Sequence, residues 1–170
     1  MRSPTEGKAC LDRYRVASSR IFALIDDTLA MNIGRKNFIL ERASIDELFI
    51  DVTAFCYQSR IPSEQNNADD DAADDDGKED AVMMKFRAEC DANAIRTLKE
   101  TAVCHEASVD AAELNDEVGA ALRRGCHVAS TARRAVLETL GFTLSAGIST
   151  NKLVAKLAAT FGKPNGQVST

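Results

Sequence analysis

The chain of 170 residues is long enough for one folded domain with a buried core, and its formal net charge is −5. It has no apolar run long enough to span a bilayer and no basic-then-apolar leader, so we expect neither a membrane protein nor a secreted one. The five cysteines are scattered and odd in number, a pattern typical of a reducing compartment rather than of a disulfide framework.

The charge is distributed unevenly along the chain. Residues 64–80 contain nine acidic residues and one base, and the rest of the chain has three more bases than acids. Because alanine is the only apolar residue type in this run, we expect residues 57–81 to form a disordered, self-repelling insertion. It is either a tolerated surface insertion or an electrostatic decoy that discourages DNA on one face. The mildly basic remainder suits a nucleic-acid partner without establishing one.

An amphipathic helix is predicted over residues 8–31, because core-type side chains recur at three- and four-residue steps. Asn32 and Gly34 are expected to end this helix. The predicted buried stripe consists of Leu11, Tyr14, Ser18, Ile21, Phe22, Ile25 and Leu29.

Two strands with two adjacent acids between them are predicted next. Residues 38–44 and 48–52 are expected to pair as a hairpin with Asp46 and Glu47 at its bend. Hard cations such as Mg²⁺ prefer carboxylate oxygens and need only one or two from a protein when phosphates supply the rest. Neighbouring side chains on a strand diverge, so both acids reach one metal centre only if the turn rotates one of them. On the pair alone, two solvated acids at a turn are the simpler interpretation.

The second half of the chain alternates helical and strand patterns. The predicted elements are a helix over 83–104, one or two helices over 111–140 ended by Gly141, a strand over 142–149, and a helix over 152–161 capped by Thr150 or Asn151. Gly147 in the strand allows another backbone or a ligand to come close. Together with the hairpin, these elements predict an α+β fold, with a mixed or antiparallel sheet and helices packed on one face.

The basic residues of this half have simple interpretations from their position alone. Lys163, just before Pro164, is a lysine that the dipole at a helix C-terminus favours. Two pairs of adjacent arginines are expected on the solvated face of the long helix. These are Arg123, Arg124, Arg133 and Arg134.

Two adjacent pairs of cysteine and histidine raise the question of zinc. They are Cys104-His105 and Cys126-His127. Zinc sites usually bring paired ligands at tight spacing, such as Cys-x-x-Cys, and neither pair has it. We therefore expect no zinc site here and read both histidines as ordinary helix residues.

Two segments carry a family resemblance. The run ERASIDE (41–47) and the run SAGISTNKLVAKLA (145–158), which is followed by KPN (163–165), resemble the palm domain of the Y-family, translesion DNA polymerases, and most closely the eta branch. Residues 25–27 (Ile-Asp-Asp) are superficially similar to a further acidic motif of that family. They lie within a helical pattern that matches another part of the family, so we do not count them as metal ligands.

The resemblance implies a site and its partners. It assigns Asp46 and Glu47 to a two-metal Mg²⁺ centre, with a third bridging aspartate from a strand that this chain lacks. It assigns Lys163 to the incoming triphosphate, and it places Ser44, Lys152 and Lys156 near the primer end or the template–primer phosphates. The implied partners are template–primer DNA, a deoxynucleoside triphosphate and a sliding clamp bound through other regions, all in the nucleus.

The resemblance also implies a domain organisation. Residues 1–56 and 82–170 correspond to parts of a palm, separated by the acidic insertion at 57–81, and the fingers, thumb and little finger are absent. We therefore expect part of a translesion polymerase that is inactive as this fragment. Two alternatives remain open: a truncated relative that binds DNA or protein without catalysis, and a helical interaction protein with coincidental motifs.

Overall fold

The computed structural model describes residues 11–57, 76–93, 102–103 and 117–170. Its helices are α1 (Asp12–Ile33), α2 (Thr53–Tyr57), α3 (Asp76–Ala92), α4 (Glu117–Leu140) and α5 (Lys152–Phe161), with a 3-10 turn at Arg35–Asn37. Its strands are β1 (Ile39–Arg42), β2 (Leu48–Asp51), β3 (Ala102–Val103), β4 (Ala146–Ile148) and β5 (Gln167–Ser169).

The strands divide into two small sheets. β1 and β2 pair antiparallel, with Ile39 opposite Asp51 and Arg42 opposite Leu48, so the predicted hairpin is confirmed. β3, β5 and β4 form a parallel sheet with β5 in the centre. Helices and strands of both kinds are present, and the predicted α+β class is confirmed.

The core lies where α1, α3 and α4 pack together and where α2 joins them. Partly buried side chains of the hairpin, among them Leu40, Leu48 and Ile50, pack against this core and fix which face of the hairpin points inward. Among the described residues the largest fully buried side chains are Phe55, Ile25, Leu29, Ile33, Val136, Val168, Cys90 and Cys126.

The helix ends depend on individual residues that were predicted from the sequence. Gly34 ends α1 with φ at +73° and donates its N–H to the Ala30 carbonyl at 3.1 Å. Gly141 ends α4 in the same left-handed region, at +71°. Glycine suits both positions because a side chain is strained there. Of the two predicted caps of α5 it is Asn151 that acts, since its Oδ1 accepts from two backbone N–H groups at 2.9 and 3.2 Å.

Parts of the predicted helices differ from the structure. In α1 the buried stripe begins only at Ser18, because the described elements pack against the later turns. Leu11 is 46% exposed and Tyr14 is 66% exposed, so their assignment to the stripe was wrong. In α4 the helix begins at Glu117, and residues 111–116 lie outside the described residues.

The region after the hairpin also differs. The predicted insertion at 57–81 falls mostly on residues 58–75, which lie outside the described residues, but α3 already begins at Asp76 rather than at residue 83. Acidic residues are favourable near a helix N-terminus, which accounts for the earlier start. The predicted helix to residue 104 was wrong at its end, because residues 102–103 pair with β5 as a strand. The strand predicted over 142–149 spans only Ala146–Ile148.

Candidate functional site

The two adjacent acids lie in the turn between β1 and β2, outside the strands themselves. The Ala43 and Ser44 N–H groups both donate to the Glu47 carbonyl at 3.1 Å. The Ser44 hydroxyl accepts from the Asp46 and Glu47 N–H groups at 3.3 and 3.0 Å, and it donates to Asp46 Oδ1 at 2.7 Å. Because the pair lies in a turn, the alternation of side chains along a strand does not apply to it. Ser44 therefore stabilises the bend that carries them.

Two lysines of α5 form ion pairs with acids of the hairpin. Lys156 Nζ lies 2.9 Å from Glu47 Oε2, and Lys152 pairs with Glu41. Lys152 Nζ also lies 4.5 Å from the centre of the Phe49 ring, within the range of a cation–π contact. All four charged side chains are about half exposed. Exposed pairs of this kind are weak, so a ligand can exchange for either partner.

A close backbone contact fixes α5 against β4. A Cβ atom added at Gly147 would overlap the Ala155 carbonyl oxygen and the Ala159 nitrogen of α5. Only glycine leaves room for this approach, which confirms the prediction of a close contact at Gly147. The packing of α5 on β4 therefore decides where its lysines reach the hairpin.

Lys163 is exposed in the loop between α5 and β5. It forms no hydrogen bond or ion pair with any of the residues that the structure describes. In this it differs from Lys152 and Lys156, which both have acidic partners. Lys163 is therefore the basic predicted site residue whose ammonium group can meet an anion without first leaving a described partner.

The arginine pairs of α4 are not uniformly solvated, and the prediction was wrong for Arg124 and Arg133. Arg124 is 13% exposed in its side chain, and its Nε lies 3.1 Å from Asp91 Oδ1 while Nη1 donates to the Cys56 carbonyl at 2.7 Å. Arg133 is half-buried and donates to the Leu144 carbonyl, just before β4, and to the Asn165 carbonyl, after α5. Arg134 is exposed.

A sequence signal for these two arginines existed. Arg124 is four residues before buried Val128, and Arg133 is three residues before buried Val136. Residues three or four apart share a helix face, so both arginines lie on the buried face of α4.

The second acidic pair, in α1, has a different environment. Arg35 Nη1 lies 2.6 Å from Asp26 Oδ2, and Arg35 Nη2 lies 3.5 Å from Asp27 Oδ1. Both acids lie inside helix α1, as the sequence predicts. The pair therefore neutralises a neighbouring guanidinium.

Two of the buried cysteines have thiols that resist deprotonation. Burial raises the pKa of the Cys56 thiol to about 11 and that of Cys90 to about 12. Cys126 and His127 are buried in α4, with the imidazole edge-on to Phe86 at 5.1 Å between ring centres. The pair at 104–105 lies outside the described residues.

The hairpin bend offers a small set of hard oxygen donors. Asp46 is exposed and Glu47 is half-exposed, and Glu47 already accepts a cationic partner in Lys156. Within the described part of the chain no cluster of three or more histidine, cysteine or acidic residues could hold a metal by itself. Two carboxylates fit Mg²⁺ when phosphate and water oxygens supply the other ligands. The bend fits such a shared site and not a closed protein cage.

The comparison with protein families defines the class. The profile of the impB/mucB/samB family matches residues 8–160, which covers the hairpin, α4 and nearly all of α5. The chain belongs to this family, the Y-family of DNA polymerases. Among the described residues no helix is long and apolar enough to cross a bilayer.

The chain is similar to individual DNA polymerases named eta and IV. The chain is 28% identical over 161 residues to DNA polymerase eta of Arabidopsis thaliana, covering 95% of this chain and 21% of the relative. It is 30% identical over 174 residues to DNA polymerase eta of Saccharomyces cerevisiae, covering 97% of this chain and 26% of the relative. A shorter stretch of 61 residues is 49% identical to DNA polymerase IV of Halorhodospira halophila, covering 35% of this chain and 17% of that protein. The chain thus spans about a quarter of the length of the eta relatives.

Proposed function

We propose that this chain is the palm portion of a translesion DNA polymerase that adds deoxynucleotides opposite damaged template bases by two-metal phosphoryl transfer. The observation that carries the proposal is the hairpin bend, where a serine-stabilised turn exposes two adjacent carboxylates beside a lysine-bearing helix. Membership in the Y-family and the likeness to polymerases named eta and IV support it.

Asp46 and Glu47 are the proposed metal ligands. Two Mg²⁺ ions, when bound, supply the charge that stabilises the attacking and leaving oxygens of an in-line displacement. The chain's own part is to hold the carboxylates in the turn and to keep them accessible to the ions. Ser44 does the first by accepting both backbone N–H groups of the acid pair. Exposure of the bend does the second.

Lys163 is the proposed contact for the triphosphate. Helix α5 brings Lys156 to Glu47 and ends five residues later at Phe161, about 7 Å further along its axis. The lysine that follows this helix end presents a compact charge that suits phosphate oxygens. An acidic bend for the metal and an uncommitted lysine for the phosphates are thus connected by one short helix.

Ser44, Lys152 and Lys156 are proposed to lie along the template–primer duplex. The two lysines hold hairpin acids in this structure, so a phosphate contact by either requires its ion pair to open. Because both pairs are half-exposed, that exchange costs little. Lysine contacts to phosphate are independent of sequence and weaken as the salt concentration rises.

The wider setting of the proposal rests on the relatives. They include polymerases from a plant and a yeast as well as from bacteria, so a nuclear location is proposed on the eukaryotic eta likeness. Contact with a sliding clamp, and inactivity of the chain by itself, stay predictions.

The proposal is tested by metal binding to the 170-residue chain. Mn²⁺ serves as a spectroscopic substitute for Mg²⁺, and its free fraction is followed by electron paramagnetic resonance in the presence of dATP. We expect a measurable affinity in the wild type and a loss of at least tenfold in Asp46→Asn/Glu47→Gln, because a neutral amide is a weak ligand for a hard cation.

The matched control is Asp26→Asn/Asp27→Asn, which removes the same two charges from an adjacent acidic pair in α1. We expect this variant to bind Mn²⁺ and dATP as the wild type does, since Asp26 and Asp27 face Arg35. Equal affinity in the wild type and both double variants would contradict a metal site at the bend.

A further inference from the structure

The loop of residues 162–166 is tightly folded where it leaves α5. A Cβ atom added at Gly166 would overlap the backbone of Gly162, so the two glycines bring the loop ends together. Asn165 has φ at +57°, in the left-handed region that asparagine tolerates better than most residues. The Ala146 N–H donates to the Gly166 carbonyl at 3.0 Å and joins the loop to β4. Lys163 is thus carried by a loop with a defined backbone path.

Arg133 of α4 contacts this loop and the start of β4 at the same time. Its Nη2 donates to the Asn165 carbonyl at 2.8 Å and to Asn165 Oδ1 at 3.1 Å. Its Nε donates to the Leu144 carbonyl at 2.9 Å, just before β4. β4 and β5 are parallel, so the two segments that enter them lie at the same edge of the sheet. One guanidinium group therefore joins both strand entries to the long helix.

The residue that follows the loop is also fixed to α4. Gln167 is buried, and its Nε2 donates to the Cys126 carbonyl at 2.9 Å. Its Oε1 accepts from Ser130 Oγ at 3.2 Å and from Arg133 Nη1 at 3.4 Å. The start of β5 is therefore held by the contacts of Gln167 with Cys126 and Ser130 as well as by Arg133. What depends on Arg133 is the position of Asn165, two residues after Lys163.

We propose that Arg133 is a positioning residue for nucleotide binding, because it fixes the loop that presents Lys163 to the triphosphate. The inference rests on the proposed function, which makes Lys163 the phosphate contact. Lys163 has no partner among the described residues, so its ammonium group is placed only by the backbone that carries it. A planar guanidinium carries its donors on three nitrogens in a fixed fork and can reach two backbone segments in one geometry, whereas the donors of a lysine share a single nitrogen.

The experiment measures dATP binding to the 170-residue chain by isothermal titration calorimetry, with thermal melting of each variant in parallel. We expect Lys163→Ala and Arg133→Ala each to weaken dATP at least fivefold. Arg134→Ala is the matched control, since it removes the neighbouring exposed arginine of the same helix, and we expect it to bind dATP as the wild type does. Equal weakening by Arg134→Ala would mean that the effect is one of net charge and would overturn the inference.

A double variant separates positioning from general destabilisation. If Arg133 acts through Lys163, the double variant Lys163→Ala/Arg133→Ala binds dATP no more weakly than Lys163→Ala alone. Additive losses would overturn the inference, because independent effects add. If Lys163→Ala binds normally, the proposed role of Lys163 fails, and the inference fails with it. If Lys163→Ala loses affinity and a folded Arg133→Ala does not, only the inference fails.

A milder change covers the case in which Arg133→Ala does not fold. Arg133→Lys keeps the charge and most of the stem but reaches one strand entry and not both. We expect it to melt close to the wild type and still to weaken dATP. Wild-type affinity in a folded Arg133→Lys would contradict the need for the guanidinium group.

Discussion

Two regions of this molecule use basic side chains in opposite ways. Between α5 and the hairpin, lysines meet glutamates at the surface, and the members of each pair remain about half exposed. Between α2, α3 and α4, arginines reach inside, where Arg87 and Arg124 donate to carbonyls at the end of α2 and Arg124 also pairs with Asp91. The first arrangement leaves charge available to a ligand, and the second uses charge to order the backbone.

The difference follows from what each partner can do in water. An exposed ammonium and carboxylate lose little when they separate, because water replaces each contact. A backbone carbonyl turned away from water loses a hydrogen bond that nothing replaces. The region between α5 and the hairpin is therefore suited to the exchange of metal and phosphate that we propose, while the region between α2, α3 and α4 is suited to hold its geometry.

The largest expected effect tests what holds α5 in place. Gly147→Ala puts a methyl group onto the α5 backbone, which cannot move aside as a side chain could. We expect a loss of more than about 3 kcal/mol in the free energy of unfolding, at the upper end for overpacking. Urea denaturation followed by circular dichroism measures it.

Gly125→Ala is the matched control for this change. Among the described residues the added methyl group meets only the Cγ2 atom of Ile148, at 3.2 Å, and alanine favours the helix interior by about 1 kcal/mol. We expect a net change within about 1 kcal/mol. If Gly147→Ala lowered the free energy of unfolding no more than Gly125→Ala does, the backbone contact with β4 would not hold α5 in place. The ion pairs between α5 and the hairpin would then have to hold it.

The next largest effect is expected in the region between α2, α3 and α4. Arg124→Ala removes a guanidinium from Asp91 and from the Cys56 carbonyl, so we expect a loss of about 2 kcal/mol in the free energy of unfolding. The figure is below that for a fully buried pair because Asp91 keeps 29% of its side-chain surface exposed. Arg134→Ala, on the exposed side of the same helix, should stay within about 0.5 kcal/mol. Similar losses in both variants would remove the distinction between the two regions.

Local rules predicted one part of this structure, and they could not predict the other. The hairpin, the ends of α1 and α4, and the Asn151 cap depend on neighbouring residues, and each was expected from the sequence. Arg124 and Arg133 both have distant backbone carbonyls among their partners, those of Cys56 and Asn165, which lie 68 and 32 residues away along the chain. Every residue has a carbonyl, so the sequence carries no side-chain pattern that identifies such a partner.

The candidate site divides in the same way. The position of Asp46 and Glu47 at a bend was predicted, because apolar strands flank the pair. The pairing of Lys156 with Glu47 was not, since the two are 109 residues apart and their contact depends on how α5 packs on β4. The packing is set by the close approach at Gly147, which the sequence indicates only as the absence of a side chain.

The smallest expected effect concerns the ion pair between α5 and the hairpin. Lys156→Ala breaks an exposed ion pair, so we expect the free energy of unfolding to fall by less than about 0.5 kcal/mol, and by less still in high salt. The same change releases Glu47, so Mn²⁺ should bind at least as tightly as in the wild type, whereas Glu47→Gln weakens it. Urea denaturation and the Mn²⁺ titration measure the two quantities on one preparation. A large loss of stability with unchanged metal affinity would mean that Lys156 serves structure, as Arg124 does, and that the hairpin is not the exchangeable region.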